Sequence, residues 1–240
     1  ENEPEKYLDF TKLDYDESGK PQVLVAISSG TPLPYAINYL IDQGVTGLQW
    51  FAYIPGTVGA AVWYNLHGGN YHFSDYIESV TVLDLTSGQK NVLNRADLTW
   101  QYEKSFFQLH PELIILSVVL RLFRGDAALA ASVRDAWIAQ KVKVQPMNSA
   151  GSVFANPSLQ DSQKIWGEQK STGWIIDHEL NWKGKQLGGA QISPQHSNFI
   201  INTGTATAAD YSGLVSLIRD EVSRRFSLTL VPEVKFLGEF

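Results

Sequence analysis

Cysteine is absent from the 240 residues, which excludes disulfide bonds, thiolate nucleophiles and cysteine-ligated metal centres. Long apolar runs are lacking too: the stretch 113–122 is shorter than the roughly 20 residues that span a bilayer. Basic residues are outnumbered, with 19 Lys and Arg against 25 Asp and Glu, and the net charge of −6 argues against a nucleic-acid partner. What remains is a globular, soluble class, and 44% hydrophobic residues suffice for a sizeable core.

The segment Ile54–Ala61 combines a proline with small residues. Pro55 favours a turn, and Gly56 and Gly59 give the backbone unusual freedom. Because Ala60 adds little bulk, backbone amides of this segment can approach a phosphate or the edge of a flavin. On turn statistics alone, an ordinary turn with a helix-packing glycine is the simpler interpretation.

A second segment, Asn148–Pro157, places the hydroxyl of Ser152 between Gly151 and a Val-Phe pair. The side-chain amide of Asn156 and the helix-stopping Pro157 follow. This order suits a single proton donor in a partly dry site. Taken alone, Ser152 reads equally well as a loop serine.

Periodicity predicts alternating strands and helices. Strands are predicted at 22–28, 77–85, 90–93, 113–123, 186–192, 198–202 and 228–237, and helices at 33–43, 126–141, from 172, and at 207–225. The run 113–123 predicts a strand covered on both faces, and the first strand–helix pair is typical of an α/β opening. A boundary between two α+β units is predicted within 142–150, giving domains of 1–145 and 146–240. Residues 1–17 are polar and acidic without an initiating methionine, which predicts a chain cut from a longer one or a flexible processed terminus.

Motifs in order along the chain resemble UDP-N-acetylenolpyruvoylglucosamine reductase, a flavoenzyme of peptidoglycan precursor synthesis. They are Gly47–Trp50, Ile54–Gly59, Ser149–Phe154, Gly173–Asp177, Lys183–Lys185, Gly188–Ala190, His196–Gly204 and Pro232–Val234. The resemblance covers nearly the whole chain. It implies an α+β fold: the second half of a vanillyl-alcohol-oxidase-like (PCMH-like) FAD-binding domain, followed by the family's own C-terminal α+β substrate domain.

The resemblance also implies a reaction. Family members bind FAD without a covalent bond, accept hydride from NADPH and reduce the enolpyruvyl group of a UDP-sugar to give UDP-N-acetylmuramate. By motif position, Ser152 would protonate the resulting enol and Glu233 would lie near the substrate. The cofactor wall would come from Pro55, Gly56, Thr57, Gly59, Ala60, Asn65, Gly68 and Gly69, and substrate contacts from Tyr102, Ser105, Lys141, Lys143 and Asn156. Such an enzyme is expected to be a cytoplasmic monomer.

The chain departs from the family pattern in three ways. The family's Tyr-Arg-x-Ser is Tyr102–Ser105 here, so Glu103 replaces an arginine expected to neutralise the substrate carboxylate, and Lys104 is a candidate substitute. The usual Phe-Lys-Asn-Pro is Phe154–Pro157 and loses another cation. The family's first flavin-binding domain would precede Glu1. An alternative hypothesis is therefore a weakened or truncated member that binds UDP-sugar or flavin without efficient turnover.

The histidines leave further alternatives open. His67 and His72 flank a glycine-rich stretch without a third ligand nearby, which favours a cofactor loop over a metal site, so no metal is expected. His178 and His196 are structural or substrate-facing. An oxidase that shares only the flavin fold is disfavoured, because residues 147–237 match the reductase.

Overall fold

The structure is a computed structural model that describes residue 17 and residues 19–238. The predictions made for residues 1–16 and 18 lie outside the described residues. The chain divides into two compact units, one ending at Lys141 and the other beginning at Val142. The functional roles predicted for the two halves stay predictions. In the described part of the chain, no helix has the length and apolar character needed to cross a membrane.

The first unit is built on an antiparallel sheet with the strand order β1-β9-β5-β6, and β2 also pairs with β9. Its strands are β1 (Gln22–Ser28), β2 (Val45–Thr46), β3 (His67–Gly68), β4 (Tyr71–His72), β5 (Ile77–Asp84), β6 (Lys90–Asn94), β7 (Trp100–Gln101), β8 (Lys104–Ser105) and β9 (Leu113–Arg124). Its helices are α1 (Leu33–Asp42), α2 (Val58–Tyr64) and most of α3 (Ala127–Val144), with short 3-10 turns at Gln49–Phe51, Phe73–Asp75, Arg95–Asp97 and Phe106–Leu109.

The long strand β9 lies inside this sheet and pairs with β1, β2 and β5. It runs antiparallel to β1, from Gln22 opposite Phe123 to Ser28 opposite Ser117, and antiparallel to β5 on its other side. The prediction of an α/β opening is therefore wrong, because every pairing in this sheet is antiparallel. The prediction that β9 is covered on both faces is also wrong: Val118 is buried, whereas Ile114 is 45% exposed. Antiparallel sheets often leave one face open, and an apolar run alone does not reveal this.

Local signals in the first unit are confirmed. The helix predicted at 33–43 is α1, which ends at Asp42, and Gly44 follows it with φ +67. The predicted hairpin is the pair β5 and β6. Asp126 accepts a hydrogen bond from the Leu129 amide at the start of α3, and that helix continues to Val144, beyond the predicted end.

The second unit is built on a four-stranded antiparallel sheet with the order β10-β13-β12-β11. Its strands are β10 (Ser149–Ser152), β11 (Gln186–Leu187), β12 (Ala190–Ile192) and β13 (Phe199–Asn202). Its helices are α4 (Leu159–Trp166), α5 (Thr172–Trp174), which runs into a π-helical turn at Ile175–Glu179, and α6 (Ala208–Phe226). The core between this sheet and α6 includes Phe154, Ile176, Ile200, Leu214 and Ile218.

Helix α6 confirms its prediction, since Thr207 and Asp210 form a capping box at its start. The strand predicted at 186–192 is two strands, because Gly188 at φ +53 turns the chain between β11 and β12. The strand predicted at 228–237 is wrong. That segment forms only an isolated bridge between Phe154 and Pro232, and a proline has no amide hydrogen to continue a ladder.

Candidate functional site

The start of α2 holds the proline–glycine segment in a fixed shape. Gly56 has φ +116, a torsion that favours glycine, and its carbonyl accepts a hydrogen bond from the Leu33 amide at 2.9 Å. Thr57 caps the helix, with its hydroxyl oxygen accepting from the Ala60 amide at 3.2 Å. The segment is therefore anchored at both ends of its turn.

The first amides of α2 are used inside the protein. The Val58 amide donates to the Thr31 carbonyl at 2.9 Å, and the Gly59 amide donates to the Ser29 carbonyl at 2.8 Å. A Cβ at Gly59 would lie 2.7 Å from the Ser29 Cβ, so this glycine permits close packing on the loop after β1. The Val58 and Gly59 amides are therefore not available to a phosphate, because the loop at 29–31 accepts their hydrogen bonds, and the cofactor role of the segment stays a prediction.

A cavity of about 640 Å³ nevertheless opens beside this segment. It is lined by Ser29, Gly30, Thr57, Gly59, Ala60, Trp63, Phe107, Pro111, Leu113, Ile114 and Ile115. A neighbouring cavity of about 310 Å³ is lined by Leu33, Ile54, Pro55, Thr57, Ala60, Ala61, Trp63, Tyr64 and Leu66. Their size and mainly apolar walls suit a flat, largely apolar ring system. The walls fit the ring of a flavin better than its phosphates.

The other predicted cofactor residues shape the glycine-rich loop. Asn65 is buried; its side-chain nitrogen donates to the Gln101 carbonyl at 2.7 Å, and its side-chain oxygen accepts from the Ser74 amide. A Cβ at Gly68 would lie 2.3 Å from the Trp50 carbonyl oxygen. Gly69 takes φ +61 in the turn between β3 and β4. These contacts are structural, and the cofactor role of the three residues stays a prediction.

The predicted substrate residues Tyr102 and Ser105 belong to the hairpin of β7 and β8. Tyr102 is exposed, whereas Ser105 is buried and donates its hydroxyl hydrogen to the Trp63 carbonyl. Ser105 thus fastens the hairpin to α2, and the substrate contacts of both residues stay predictions.

Glu103 occupies the turn of this hairpin with φ +52. Its carboxylate accepts a hydrogen bond from the Tyr64 hydroxyl at 3.1 Å and lies 3.4 Å from Nδ1 of His67. The Tyr102 hydroxyl lies 3.4 Å from the other ring nitrogen of His67. The reversed charge at this position is therefore embedded in a polar cluster, while Lys104 is exposed.

In the second unit, Ser152 lies at the end of β10 opposite Phe199. The register shifts between Ser149 and Ser152, where Gly151 takes φ +93, a torsion open mainly to glycine. Ser152 is half-buried and Val153 is buried. Ser152 thus lies between the bulge and a buried residue, and its role as a proton donor stays a prediction.

Asn198 fixes the backbone just after Ser152. Its side-chain oxygen accepts from the Phe154 amide at 3.1 Å, its side-chain nitrogen donates to the Phe154 carbonyl at 2.8 Å, and its own carbonyl accepts from the Val153 amide. Both Asn198 and Phe154 are buried. The sequence places Asn198 in a motif that assigns it no role, although an asparagine side chain has both the acceptor and the donors needed to pair with the N–H and the carbonyl of one residue.

Glu233 is brought to the same place by the chain's C-terminal segment. Its amide donates to the Val153 carbonyl at 2.9 Å, and the Ala155 amide donates to the Val231 carbonyl at 2.9 Å. Ser152 and Glu233, some eighty positions apart, are therefore held on neighbouring backbones. Asn156 lies nearby on the surface, where its side-chain oxygen accepts from the Thr172 amide at 2.9 Å and fixes the start of α5.

The two histidines left open in the sequence make local contacts. His178 stacks on Trp174 with ring centroids 5.0 Å apart, and Nδ1 of His196 lies 3.1 Å from the Asn198 amide. Both side chains therefore support the fold around the motif residues. No group of three or more potential metal ligands occurs within the described ranges.

The predicted basic segment at 141–143 is the last turn of α3. Burial lowers the pKa of Lys141, whose ammonium lies 4.7 Å above the Trp137 ring. Lys143 is exposed, and its carbonyl accepts from the Gln195 side chain. Lysines at a helix C-terminus interact favourably with the helix dipole without any ligand, so their position does not require a bound pyrophosphate. Their contact with a pyrophosphate stays a prediction.

Comparison with known proteins identifies relatives of this chain. Residues 142–237 match the family model described as "UDP-N-acetylenolpyruvoylglucosamine reductase, C-terminal domain". A reductase of that name from Parasynechococcus marenigrum is 35% identical over 234 residues, which are 96% of this chain and 74% of the relative. One from Gloeobacter violaceus is 34% identical over 219 residues, covering 90% of this chain and 69% of the relative.

A solved structure gives the same result for the fold. The crystal structure of the UDP-N-acetylenolpyruvylglucosamine reductase from Thermus caldophilus has a TM-score of 0.73 and 30% identity, and the match covers 93% of this chain and 74% of that one. The predicted α+β class is confirmed. This chain belongs to the UDP-N-acetylenolpyruvoylglucosamine reductase family.

Proposed function

We propose that this chain reduces UDP-N-acetylenolpyruvoylglucosamine to UDP-N-acetylmuramate in peptidoglycan synthesis, with FAD and NADPH as cofactors. The observation that carries the proposal is the second-unit site, where a half-buried Ser152 and Glu233 converge on one irregular stretch of backbone. The chain's membership of the reductase family supports it.

Reduction of an enolpyruvyl group adds a hydride to one alkene carbon and a proton to the other. FAD, when bound and reduced by NADPH, supplies the hydride. Negative charge then builds on the carbon next to the substrate carboxylate, and that carbon must be protonated. The Ser152 hydroxyl supplies this proton, and the serine recovers it from solvent in the next cycle.

Glu233 and Asn198 assist this step in different ways. Asn198 hydrogen-bonds to both the backbone N–H and the backbone carbonyl of Phe154, which fixes the backbone after Ser152. Glu233 donates its backbone amide to the Val153 carbonyl and so lies on the neighbouring backbone, and we assign its carboxyl group the role of an acid or of an orienting group toward the developing enolate. Precise placement of a proton donor is worth several orders of magnitude in rate.

The residues suited to holding the flavin ring are Thr57, Gly59, Ala60 and Trp63, which line the apolar cavity of about 640 Å³. The Val58 and Gly59 amides are already bonded to carbonyls and so do not serve as phosphate ligands. We assign the ring, and not the phosphates, to this wall.

The test replaces Ser152 with alanine in protein supplied with FAD. Reduction of the flavin by NADPH should be unchanged, and reduction of the UDP-sugar should slow about a hundredfold or more, as for loss of a positioned acid. Ser149→Ala is the matched control, because the Ser149 hydroxyl on the same strand donates to the Pro146 carbonyl. Equal turnover in Ser152→Ala and Ser149→Ala would remove Ser152 from the mechanism.

The same assay distinguishes an active reductase from the alternative hypothesis, a weakened or truncated family member that binds UDP-sugar or flavin without efficient turnover. The negative charge of Glu103 at the family's arginine position is the observation in its favour. Binding of UDP-sugar without measurable turnover by the unsubstituted protein would support that hypothesis over the reductase.

A further inference from the structure

The first unit places an exposed tryptophan between its two cavities. All seven tryptophans of the chain lie in the described ranges, and Trp63, at 38% exposed, is the most exposed of them. It lines both the cavity of about 640 Å³ and the cavity of about 310 Å³. An indole ring is a large apolar surface, and leaving it open to water gives up the stabilisation that burial would provide. The position of Trp63 therefore suits contact with a ligand.

The surface that Trp63 presents is its indole ring. Trp63 lies near the end of α2, where its backbone carbonyl accepts hydrogen bonds from the Ser105 hydroxyl and from the Gln108 side chain. These two bonds occupy the polar backbone atom and fasten the end of the helix. The ring is thus presented from a fixed backbone, which lowers the entropy that is lost when a ligand binds.

The two cavities are poorly suited to a phosphate. Among the described residues that line them, none is a lysine, an arginine or a histidine. The Thr57 hydroxyl accepts from the Ala60 amide, and the Tyr64 hydroxyl donates to Glu103. Phosphates in proteins are bound by cations and by free backbone amides. The walls therefore offer a surface for a ring and not for a phosphate.

The ring of a flavin matches this surface in shape and in electronic character. It is flat and electron-poor, whereas indole is electron-rich, and aromatic rings of this kind stack with an offset. Stacking of a planar base on an aromatic side chain is worth about 5- to 150-fold in affinity. A volume of about 640 Å³ also lies within the usual range for ligand pockets.

We propose that the first unit recognises a flavin through its ring alone, with the Trp63 indole as the stacking surface, so that riboflavin, FMN and FAD bind with nearly equal affinity. This inference rests on the proposed function, since that function uses a flavin. It adds a statement about selectivity: neither the phosphates nor the adenine of FAD contributes to binding by this unit.

The first test measures the Kd of riboflavin, FMN and FAD for the whole chain by the change in flavin fluorescence. The three values should agree within about threefold. They should also be the same at about 50 and about 500 mM salt, because a contact between a phosphate and a cation would be screened.

Substitutions of Trp63 test the stacking itself. Trp63→Leu keeps an apolar wall but removes the ring, so it should weaken the binding of all three flavins by the same factor, about 5- to 30-fold. Trp63→Phe keeps an aromatic ring and should stay within about threefold of the unsubstituted chain. Tyr35→Leu is the matched control, because Tyr35 is an exposed aromatic residue of α1 outside both linings, and it should change none of the three Kd values.

Two results would overturn the inference and leave the proposed function intact. Salt-dependent binding of FAD that is at least about tenfold tighter than that of riboflavin would show that the phosphates are recognised. Equal Kd values for Trp63→Leu and the unsubstituted chain would show that the indole does not meet the ring. If the unsubstituted chain binds none of the three flavins, the proposal of a flavin-dependent reductase fails, and this inference fails with it.

Discussion

Replacing Asn198 with alanine should destabilise the second unit more than any exposed polar substitution near the site. Asn198 is 5% exposed and Phe154 is 1% exposed, so water cannot replace the two hydrogen bonds between them. Each buried polar group left without a partner costs about 1–3 kcal/mol. Removing the amide strands both the N–H and the carbonyl of Phe154, so the free energy of unfolding should fall by about 2–6 kcal/mol.

Urea unfolding of the whole chain and amide hydrogen exchange measure this effect. The exchange of the Phe154 amide should accelerate strongly in Asn198→Ala, because its acceptor is gone. Asn198→Asp keeps the acceptor but sets a carboxylate oxygen against the Phe154 carbonyl, so it should not restore stability. Asn148→Ala is the control, since the Asn148 side chain makes one exposed bond, to the Asn202 carbonyl. A change within about 0.5 kcal/mol is expected there.

The reasoning would be refuted if Asn198→Ala unfolded at the same urea concentration as the unsubstituted chain with normal protection of Phe154. It would then follow that the loop carrying Ser152 is held by packing alone. Loss of turnover without loss of stability would instead place Asn198 in contact with substrate.

Two further substitutions test the first unit. Gly59→Ala should lower the free energy of unfolding, measured by urea titration, by about 1–3 kcal/mol, because the new Cβ meets Ser29 backbone and side-chain atoms at 2.7–3.2 Å. This loss is expected despite the better helix propensity of alanine. Gly213→Ala is the control: its new Cβ meets only the flexible end of a side chain, so the substitution should be neutral or stabilising in the same titration. Glu103→Arg should lower the free energy of unfolding by about 1–3 kcal/mol, because it removes the acceptor of the Tyr64 hydroxyl hydrogen bond. Glu103→Gln keeps an acceptor oxygen and should cost less. Equal urea midpoints for the two variants would show that this hydrogen bond does not contribute to stability.

Sequence predicted those elements whose signals are local. The capping box of Thr207 and Asp210, the cap at Asp126 and the stop at Gly44 each involve residues within one turn of the helix end, so the pattern carries the geometry. The hairpin of β5 and β6 is equally local.

Elements that depend on distant partners were less predictable. The apolar run of β9 does not say which face another layer covers, and Ile114 is left on the open side. The stretch around Pro232 alternates like a strand, yet its hydrogen bonds go to Val153 and Ala155 in an irregular pattern. These outcomes are set by tertiary pairing, which local propensity cannot encode.

The site shows the same division. The motif serine and the glycine that shapes its bulge were found from sequence, but the neighbour that fixes them, Asn198, is forty-four positions beyond Phe154 and becomes visible only in the fold. The amides at the start of α2 look free in the sequence, because the carbonyls of Ser29 and Thr31 that accept them lie in an earlier loop.

Motif residues in this chain therefore carry unequal weight as evidence of function. Gly59, Gly68 and Asn65 would be required by the packing of the first unit whether or not a cofactor binds, since their space and hydrogen bonds are taken by the protein itself. Ser152 is different: its hydroxyl is set at a bulge by Gly151, a device that distorts the edge of a sheet without improving its ladder. Bulges of this kind occur beside active sites because they re-aim a side chain, and so the second unit is where a loss of function should first be sought.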